Sequence, residues 1–407
     1  MNALDTGNTA WMLTATALVL FMTLPGLALF YGGLVRTKNV LSVLMQCFSI
    51  TALVTVLWVA FEYSLVFTPN PDPTLDLFVG GLSKAFLAGV GRDALRGSVP
   101  ETVFAMFQLT FAVITPALII GSFAERVRFS AMLLFVALWS VVVYVPVAHW
   151  IWGGGWAEKL GALDFAGGIV VHVSAGVAGL VTALYVGRRK GYPDTPMLPH
   201  SLTLSVVGAG MLWMGWFGFN AGSALSASGQ AGMAMAATQI AAATAAVVWL
   251  FVEWNRHGRP SVLGIITGAV AGLATITPGS GYVGAGGALV IGVVAGLACF
   301  VGATWLKRRL GYDDSLDAFG VHGVGGLAGS VLAGAFAAAR LGGSEAIAIP
   351  HQLWVQLEAC AATAAWSAGM TFVCIKIADL ALAVRVDDDQ ETVGLDLTAH
   401  EERGYDY

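Results

Sequence analysis

Charged positions along this 407-residue chain are confined to short intervals between long apolar ones. Stretches free of Asp, Glu, Lys and Arg run from 6 to 35, 41 to 61, 102 to 124, 129 to 157, 165 to 187, 195 to 252, 260 to 306 and 318 to 339, and a last apolar run covers 359 to 375. A helix of about 20 apolar residues crosses a bilayer, so most of these intervals hold one span each. Two are too long for a single span. "ALSASGQAG" (224 to 232) divides one and "TPGSGYVGAGG" (277 to 287) the other, because small polar residues, glycine and proline mark turns. The pattern predicts eleven transmembrane helices. A β-barrel is disfavoured, since its strands alternate polar and apolar residues over about 10 positions.

Composition turns that pattern into a class. With 57% hydrophobic and 11% charged residues, the chain lacks the polar surface a water-soluble globule needs, and it reads as an all-α polytopic membrane protein. Assigned to alternating sides, Arg36, Lys38, Arg126, Arg128, Arg188, Arg189, Lys190, Arg256, Arg259, Lys307, Arg308 and Arg309 share one face; Lys84, Arg92, Arg96, Lys159 and Arg340 share the other. The positive-inside rule makes the first face cytoplasmic, with the N-terminus outside and the C-terminus inside. The net charge of -5 adds little to this. Asp5 stands where a signal peptide would carry basic residues, and the apolar run after it is too long for a signal core, so the first helix is expected to be retained. Cys47, Cys299, Cys360 and Cys374 lie inside predicted helices without metal or redox spacing, and read as small core residues.

The basic, proline-containing segment "GRRKGYPDTPMLPH" divides the chain. Residues 1–187 form a first half of five helices, 188–199 a cytoplasmic linker, 200–339 a second half of five, 340–385 the eleventh helix and 386–407 a cytoplasmic tail. Five is odd, so the halves have opposite orientations, the inverted-repeat plan of many transport proteins. The last helix of each half opens alike, with Asp164 leading "DFAGGIVVHVSAGVAGL" and Asp317 leading "DAFGVHGVGGLAGSV". At 1.5 Å per residue, His172 lies roughly 12 Å below its acid and His322 roughly 7 Å above its own, so both approach the middle of the bilayer from opposite faces. The tail is polar, charged and short, and reads as disordered or ordered only by a partner.

Ionisable groups inside a membrane are costly and mark functional sites by default. For His172 and His322 the competing reading is a hydrogen bond to a backbone carbonyl, holding helices together. If the two meet, each can donate or accept a proton for the other. Asp164 and Asp317 fit helix caps, with Asp164 also placed to stabilise a cation from beneath. In "AHWIWGGGWAEK", Trp150 and Trp156 read as interface anchors, and an aromatic face of the same segment can bind a cation. Phe107 and Phe111, four apart in "MFQLTF", share one helix face, and Trp216, Phe219 and Ser223 lie among the glycines of "GWFGFNAGSA". The 51 glycines suit close helix packing, and no nucleotide loop or nucleic-acid surface is present.

The ordered motifs "LFYGGLVRTKN", "FAERVRFSA", "AHWIWGGG", "DFAGGIVVHVSAGVAGL", "GWFGFNAGSA", "RHGRPSVLG", "TPGSGYVG" and "DAFGVHGVGG" together resemble the ammonium transporter (Amt/Mep/Rh) family, in its bacterial Amt branch. The resemblance covers nearly the whole chain. It implies an outer ammonium recruitment site of Phe107, Trp152 and Ser223, with Asp164 as the acid below the vestibule. A gate of Phe111 and Phe219, and a pore with the twin histidines His172 and His322 and the aromatic Trp216, follow on the same ground. It further implies a homotrimer with one pore per subunit in the inner (plasma) membrane, carrying ammonium or ammonia, with methylammonium as analogue, and blocked from the cytoplasm by a PII-type signalling protein. The tail "GLDLTAHEERGYDY" resembles the family's C-terminal element but has Glu401 where glycine usually follows the histidine.

The reading is a non-enzymatic transporter without cofactor or metal that recruits ammonium, deprotonates it and passes ammonia along the pore, with net electrogenic transport. The alternative is an ammonium sensor of the same fold that signals through its tail.

Overall fold

The computed structural model describes residues 3–405. Among these, eleven helices have the length and apolarity to cross a membrane. They are α1 (Thr6–Leu34), α2 (Thr37–Phe67), α3 (Glu101–Phe123), α4 (Phe129–Leu160), α5 (Gly168–Val186), α6 (Leu202–Gly222), α7 (Gly229–His257), α8 (Val262–Gly279), α9 (Ala285–Leu310), α10 (Phe319–Phe336) and α11 (Ile349–Leu382). The two long apolar intervals do break between α6 and α7 and between α8 and α9, at the small-residue turns. A cap supports the first break, where the Ser228 hydroxyl accepts from Ala231 N at the head of α7; at the second, α9 starts after Gly284 without a side-chain cap. Between α2 and α3 a long loop carries a short hairpin of β1 (Leu95–Arg96) and β2 (Val99–Pro100).

α3 is buried along nearly its whole length and forms the centre of the bundle. α11 lies at the periphery, where Trp354 and Leu380 are 67% and 76% exposed; in a bilayer such side chains face lipid rather than water. The four cysteines are unpaired and buried, as small core residues should be.

α5 and α10 cross at the heart of the molecule, and glycine permits the crossing. A Cβ on Gly176 would lie 2.2 Å from Gly323 N, and one on Gly326 would lie 2.8 Å from Gly168 O. Each glycine sits four residues after the histidine of its own helix and rests on the histidine-bearing turn of the other. That reciprocity is the inverted repeat expressed as contact. Both helices begin with a π-helical turn, Gly168–Val173 and Phe319–Gly323, which contains the histidine.

The tail departs from the expectation of disorder. It folds back onto its own chain as α12 (Asp388–Val393) and α13 (Leu395–His400). Glu391 and Asp396 are buried. The Asp396 carboxylate accepts from Leu41 N (3.0 Å) and Ser42 N (2.8 Å) at the start of α2, and Lys38 Nζ donates to the carbonyls of Glu391 (2.8 Å) and Thr392 (2.6 Å). Low hydropathy hid this, because the acids that suggest solvation are satisfied by backbone N–H groups and basic side chains of the bundle. Residues 406 and 407 of the tail lie outside the described residues.

Candidate functional site

The site is built from one end of the α5/α10 crossing to the other. At the α5 mouth, the Asp164 carboxylate accepts four backbone N–H groups: Gly167 (2.9 Å), Gly168 (2.5 Å), Ile169 (2.8 Å) and Val170 (3.0 Å). These are the donors that a helix start leaves without partners. Burial pushes the pKa of Asp164 above the ordinary carboxylate value, and the four N–H donors restrain the rise. The Asp164 carbonyl in turn accepts from Trp152 Nε1 at 2.9 Å, which fixes the indole at the end of α4.

Around that indole the aromatic residues gather. Phe111 lies edge-on to Trp152 at 5.6 Å between ring centroids and to Phe107 at 5.0 Å, and faces Phe219 at only 4.3 Å. Phe111 and Phe219 are 1% and 0% exposed, so the layer they form is shut. Ser223, one turn beyond Phe219 on α6, donates its hydroxyl proton to the Phe219 carbonyl at 2.8 Å, leaving the oxygen lone pairs to accept. Phe107, Trp152 and Ser223 thus lie on one side of the pair, and His172 on the other.

Below Phe219 the rings continue as a stack. His172 lies 6.2 Å from Phe219 and 5.6 Å from Trp216, and the His172 and His322 rings stack at 5.1 Å with planes 21° apart. Trp216 Nε1 is held by Thr277 Oγ1 at 2.9 Å. A small cavity runs along this stack, walled by apolar side chains such as Met22, Ile114, Leu118 and Leu212, with the two histidines at its side. Both ring nitrogens of His172 and Nδ1 of His322 are buried without a hydrogen-bond partner. The carbonyl-bonded reading of these histidines therefore fails. Nor do the rings share a proton directly, since they stack rather than hydrogen-bond. Buried donors and acceptors are rarely left unpaired, and where they are, a ligand or water is the usual reason.

The mouth at the head of α10 is open. A cavity of about 390 Å³ reaches His322 and is lined by Phe30, Tyr31, Arg189, Lys307 and Asp317. Asp317 does not cap α10. It adopts a positive φ of 59° and accepts from Lys307 Nζ at 2.8 Å. The cap is Asp314, whose carboxylate takes Ala318 N at 3.1 Å and Phe319 N at 2.8 Å; burial pushes its pKa up to about 6. Asp314 stands eight residues before His322, as Asp164 does before His172. That equal spacing was present in the sequence and points to Asp314 rather than Asp317.

Two further groups lay outside the sequence reading. A buried network joins the halves on the side of the linker: Glu125 binds Arg36 (2.9 Å) and Arg189 (3.0 Å), and Arg189 also binds Asp313 at 2.8 Å. Burial pushes Asp313 up, but Arg189 outweighs it and brings the pKa to about 2. His149 ties α4 to the end of α2 and to the loop that follows it, with Nδ1 2.7 Å from the Val66 carbonyl and Nε2 2.8 Å from that of Asp76. Its neighbour Trp150 is 6% exposed and donates to the Phe78 carbonyl at 2.9 Å, so it is a packing residue and not a surface anchor.

A model of the Ammonium Transporter Family matches residues 10–405. An ammonium transporter of Bacillus subtilis is 48% identical over 405 residues, covering 98% of each chain. Among solved structures, Mep2 of Saccharomyces cerevisiae superposes with a TM-score of 0.86 at 36% identity, covering 95% of this chain and 88% of that one. A structure described as a sensor Amt protein superposes with a TM-score of 0.89 at 28% identity, covering 97% and 98%.

Proposed function

The chain belongs to the ammonium transporter family, and we propose that it recruits ammonium at Phe107, Trp152 and Ser223, strips it of a proton near Phe111 and Phe219, and passes ammonia along His172 and His322. The observation that carries this reading is the set of unpartnered histidine nitrogens in an apolar lumen behind a shut aromatic pair. Trp216, held by Thr277, lines the same lumen.

A cation cannot enter that lumen intact, because an isolated charge in an apolar medium costs far more than its contacts return. At the outer site, the Trp152 and Phe107 rings offer cation-π attraction and Ser223 Oγ offers an acceptor for an N–H donor. Potassium has the charge but no N–H, so a directional acceptor separates the two ions. Asp164 adds negative charge beneath the site while its own oxygens stay engaged with the head of α5. Past the phenylalanine pair, burial disfavours a charged amine by up to about 3 to 5 pKa units, enough to bring ammonium near deprotonation at neutral pH. Ammonia then meets the unpartnered histidine nitrogens in a lumen otherwise walled by apolar side chains. Potassium cannot lose a proton, which makes this a second filter.

The proton follows separately and transport is electrogenic. The protein works as a homotrimer in the plasma membrane, with the N-terminus outside and the linker and tail inside. Its halves are residues 1–187 and 200–339, and the inner face is where a PII-type protein docks. Proteoliposomes on a solid-supported membrane test this: ammonium pulses should evoke a current and potassium pulses none. Tight ammonium binding without current would instead favour the sensor reading.

A further inference from the structure

We propose that Glu62 is a proton-binding site within the bundle, set apart from the lumen. Its carboxyl carries an exchangeable proton and shares it with the Ser140 hydroxyl across the contact between α2 and α4.

Glu62 is 0% exposed, and both of its carboxyl oxygens lack a hydrogen-bond partner. Every other buried carboxyl among the described residues accepts hydrogen bonds. Nor do its surroundings offer a counter-charge. Tyr63, next in sequence, donates to Glu101 at 2.6 Å, and Lys84, at the head of the turn Ala85–Leu87 that packs on Glu62, is held by the same Glu101. α3 brings no charged residue but Glu101, and α11, which packs on α4 at Ser140–Tyr144, has none from 359 to 375. α4 contributes Ser140 and Tyr144, a hydroxyl and a phenol, while its His149 is spent on the Val66 and Asp76 carbonyls. A carboxylate with neither cation nor donor is among the costliest groups to bury, so buried charges occur in pairs. A metal ion does not resolve this, because no group of three or more His, Cys, Asp or Glu that could hold one is present among the described residues. A proton does, by making the carboxyl neutral and giving it a hydrogen to donate.

Ser140 is placed to take that hydrogen. Thr51 and Thr115, on α2 and α3, donate to the carbonyl four residues back at 2.9 and 2.6 Å, the usual use of a hydroxyl within a helix. Ser140 does not, and its buried oxygen stands beside Glu62 without a partner of its own. Both residues lie on π-helical turns, Trp58–Glu62 in α2 and Ser140–Tyr144 in α4. Such turns gather at functional positions, and the pair at the α5–α10 crossing holds His172 and His322. The site is nevertheless separate from those histidines. One turn before Glu62, Trp58 Nε1 donates to the Ala105 carbonyl at 3.0 Å. Ala105 precedes Phe107 by two residues, which at about 100° per residue puts them on opposite faces of α3, so that helix stands between Glu62 and the lumen.

Infrared difference spectroscopy of the purified full-length protein in phosphatidylcholine vesicles at neutral pH, wild type minus E62Q, tests the site. The difference should contain the carbonyl stretch of a neutral carboxylic acid, shifted to lower frequency in D2O because the proton exchanges. S140A should keep this band and move it to higher frequency, as the acid loses its acceptor. E62Q retains the shape of the neutral acid and should melt and conduct ammonium as wild type does, which establishes that the variant is folded. Carboxylate bands in place of the acid band, a band indifferent to D2O, or a collapsed melting temperature in E62Q would each overturn the proposal. A band that S140A leaves unmoved would overturn the sharing with Ser140.

Discussion

α5 and α10 carry the same parts in the same order: an acid, a histidine eight residues later and a glycine four residues after that. The parts are Asp164, His172 and Gly176 in one, and Asp314, His322 and Gly326 in the other. At the crossing they are interchangeable, each glycine seating the other helix. At their mouths they diverge. Asp164 gathers four N–H groups behind a shut layer of phenylalanines, whereas Asp314 gathers two beside an open vestibule. The comparison teaches that symmetry brings the two histidines together, and that departure from symmetry puts the shut phenylalanine pair at one end only.

The crossing is the place where the comparison breaks first. Gly176→Leu or Gly326→Leu drives a side chain into the opposing backbone, and each should cost more than about 4 kcal/mol. Thermal unfolding followed by intrinsic fluorescence should show both variants failing alike; tolerance of either would mean that the halves do not lean on each other as described.

The caps sharpen the difference between the mouths. Asp164→Asn loses a charge that serves four donors and should cost about 3 kcal/mol, while Asp314→Asn, with two donors, should cost about half as much. A melting-temperature comparison checks the order, and equal losses would contradict it.

The order of these costs also shows what the sequence disclosed. Eleven spans, both histidines and the aromatic residues around them were legible because a bilayer imposes a simple length and polarity code. Asp317 was mistaken for the cap because it stands nearest the glycine-rich run, where local pattern favours it. Only the eight-residue spacing shared with Asp164 identifies Asp314. The tail and Trp150 misled for a common reason: their partners are far away in sequence, so local polarity said nothing of burial.

Acid tests the buried ion-pair network beside α10. The folded pKa of Asp313, about 2, lies below its ordinary value of 3.8, so its contribution is fully present above pH 4 and is lost as pH falls through 2. That contribution is on the order of 2 kcal/mol. Asp313→Asn should therefore reduce the stability measured above pH 4 and flatten its decline between pH 4 and 2; an unchanged decline would place the acid sensitivity elsewhere.

The smallest effect belongs to the tail, which packs on the start of α2 and the linker. Glu401 holds a left-handed φ of 57° at the end of α13, a conformation that glycine adopts without strain. Glu401→Gly should tighten docking by about 1 kcal/mol, seen as slower amide exchange over residues 386–400. Faster exchange would show that the glutamate side chain, not the backbone turn, holds the tail.

The central claim is that the stacked histidines at the crossing handle the substrate. Ammonium and potassium currents from proteoliposomes on a solid-supported membrane, recorded for wild type and for H172A/H322A, test it most directly. The prediction is that the double variant loses its ammonium current or admits potassium. A double variant that conducts ammonium as before and still excludes potassium would contradict the account.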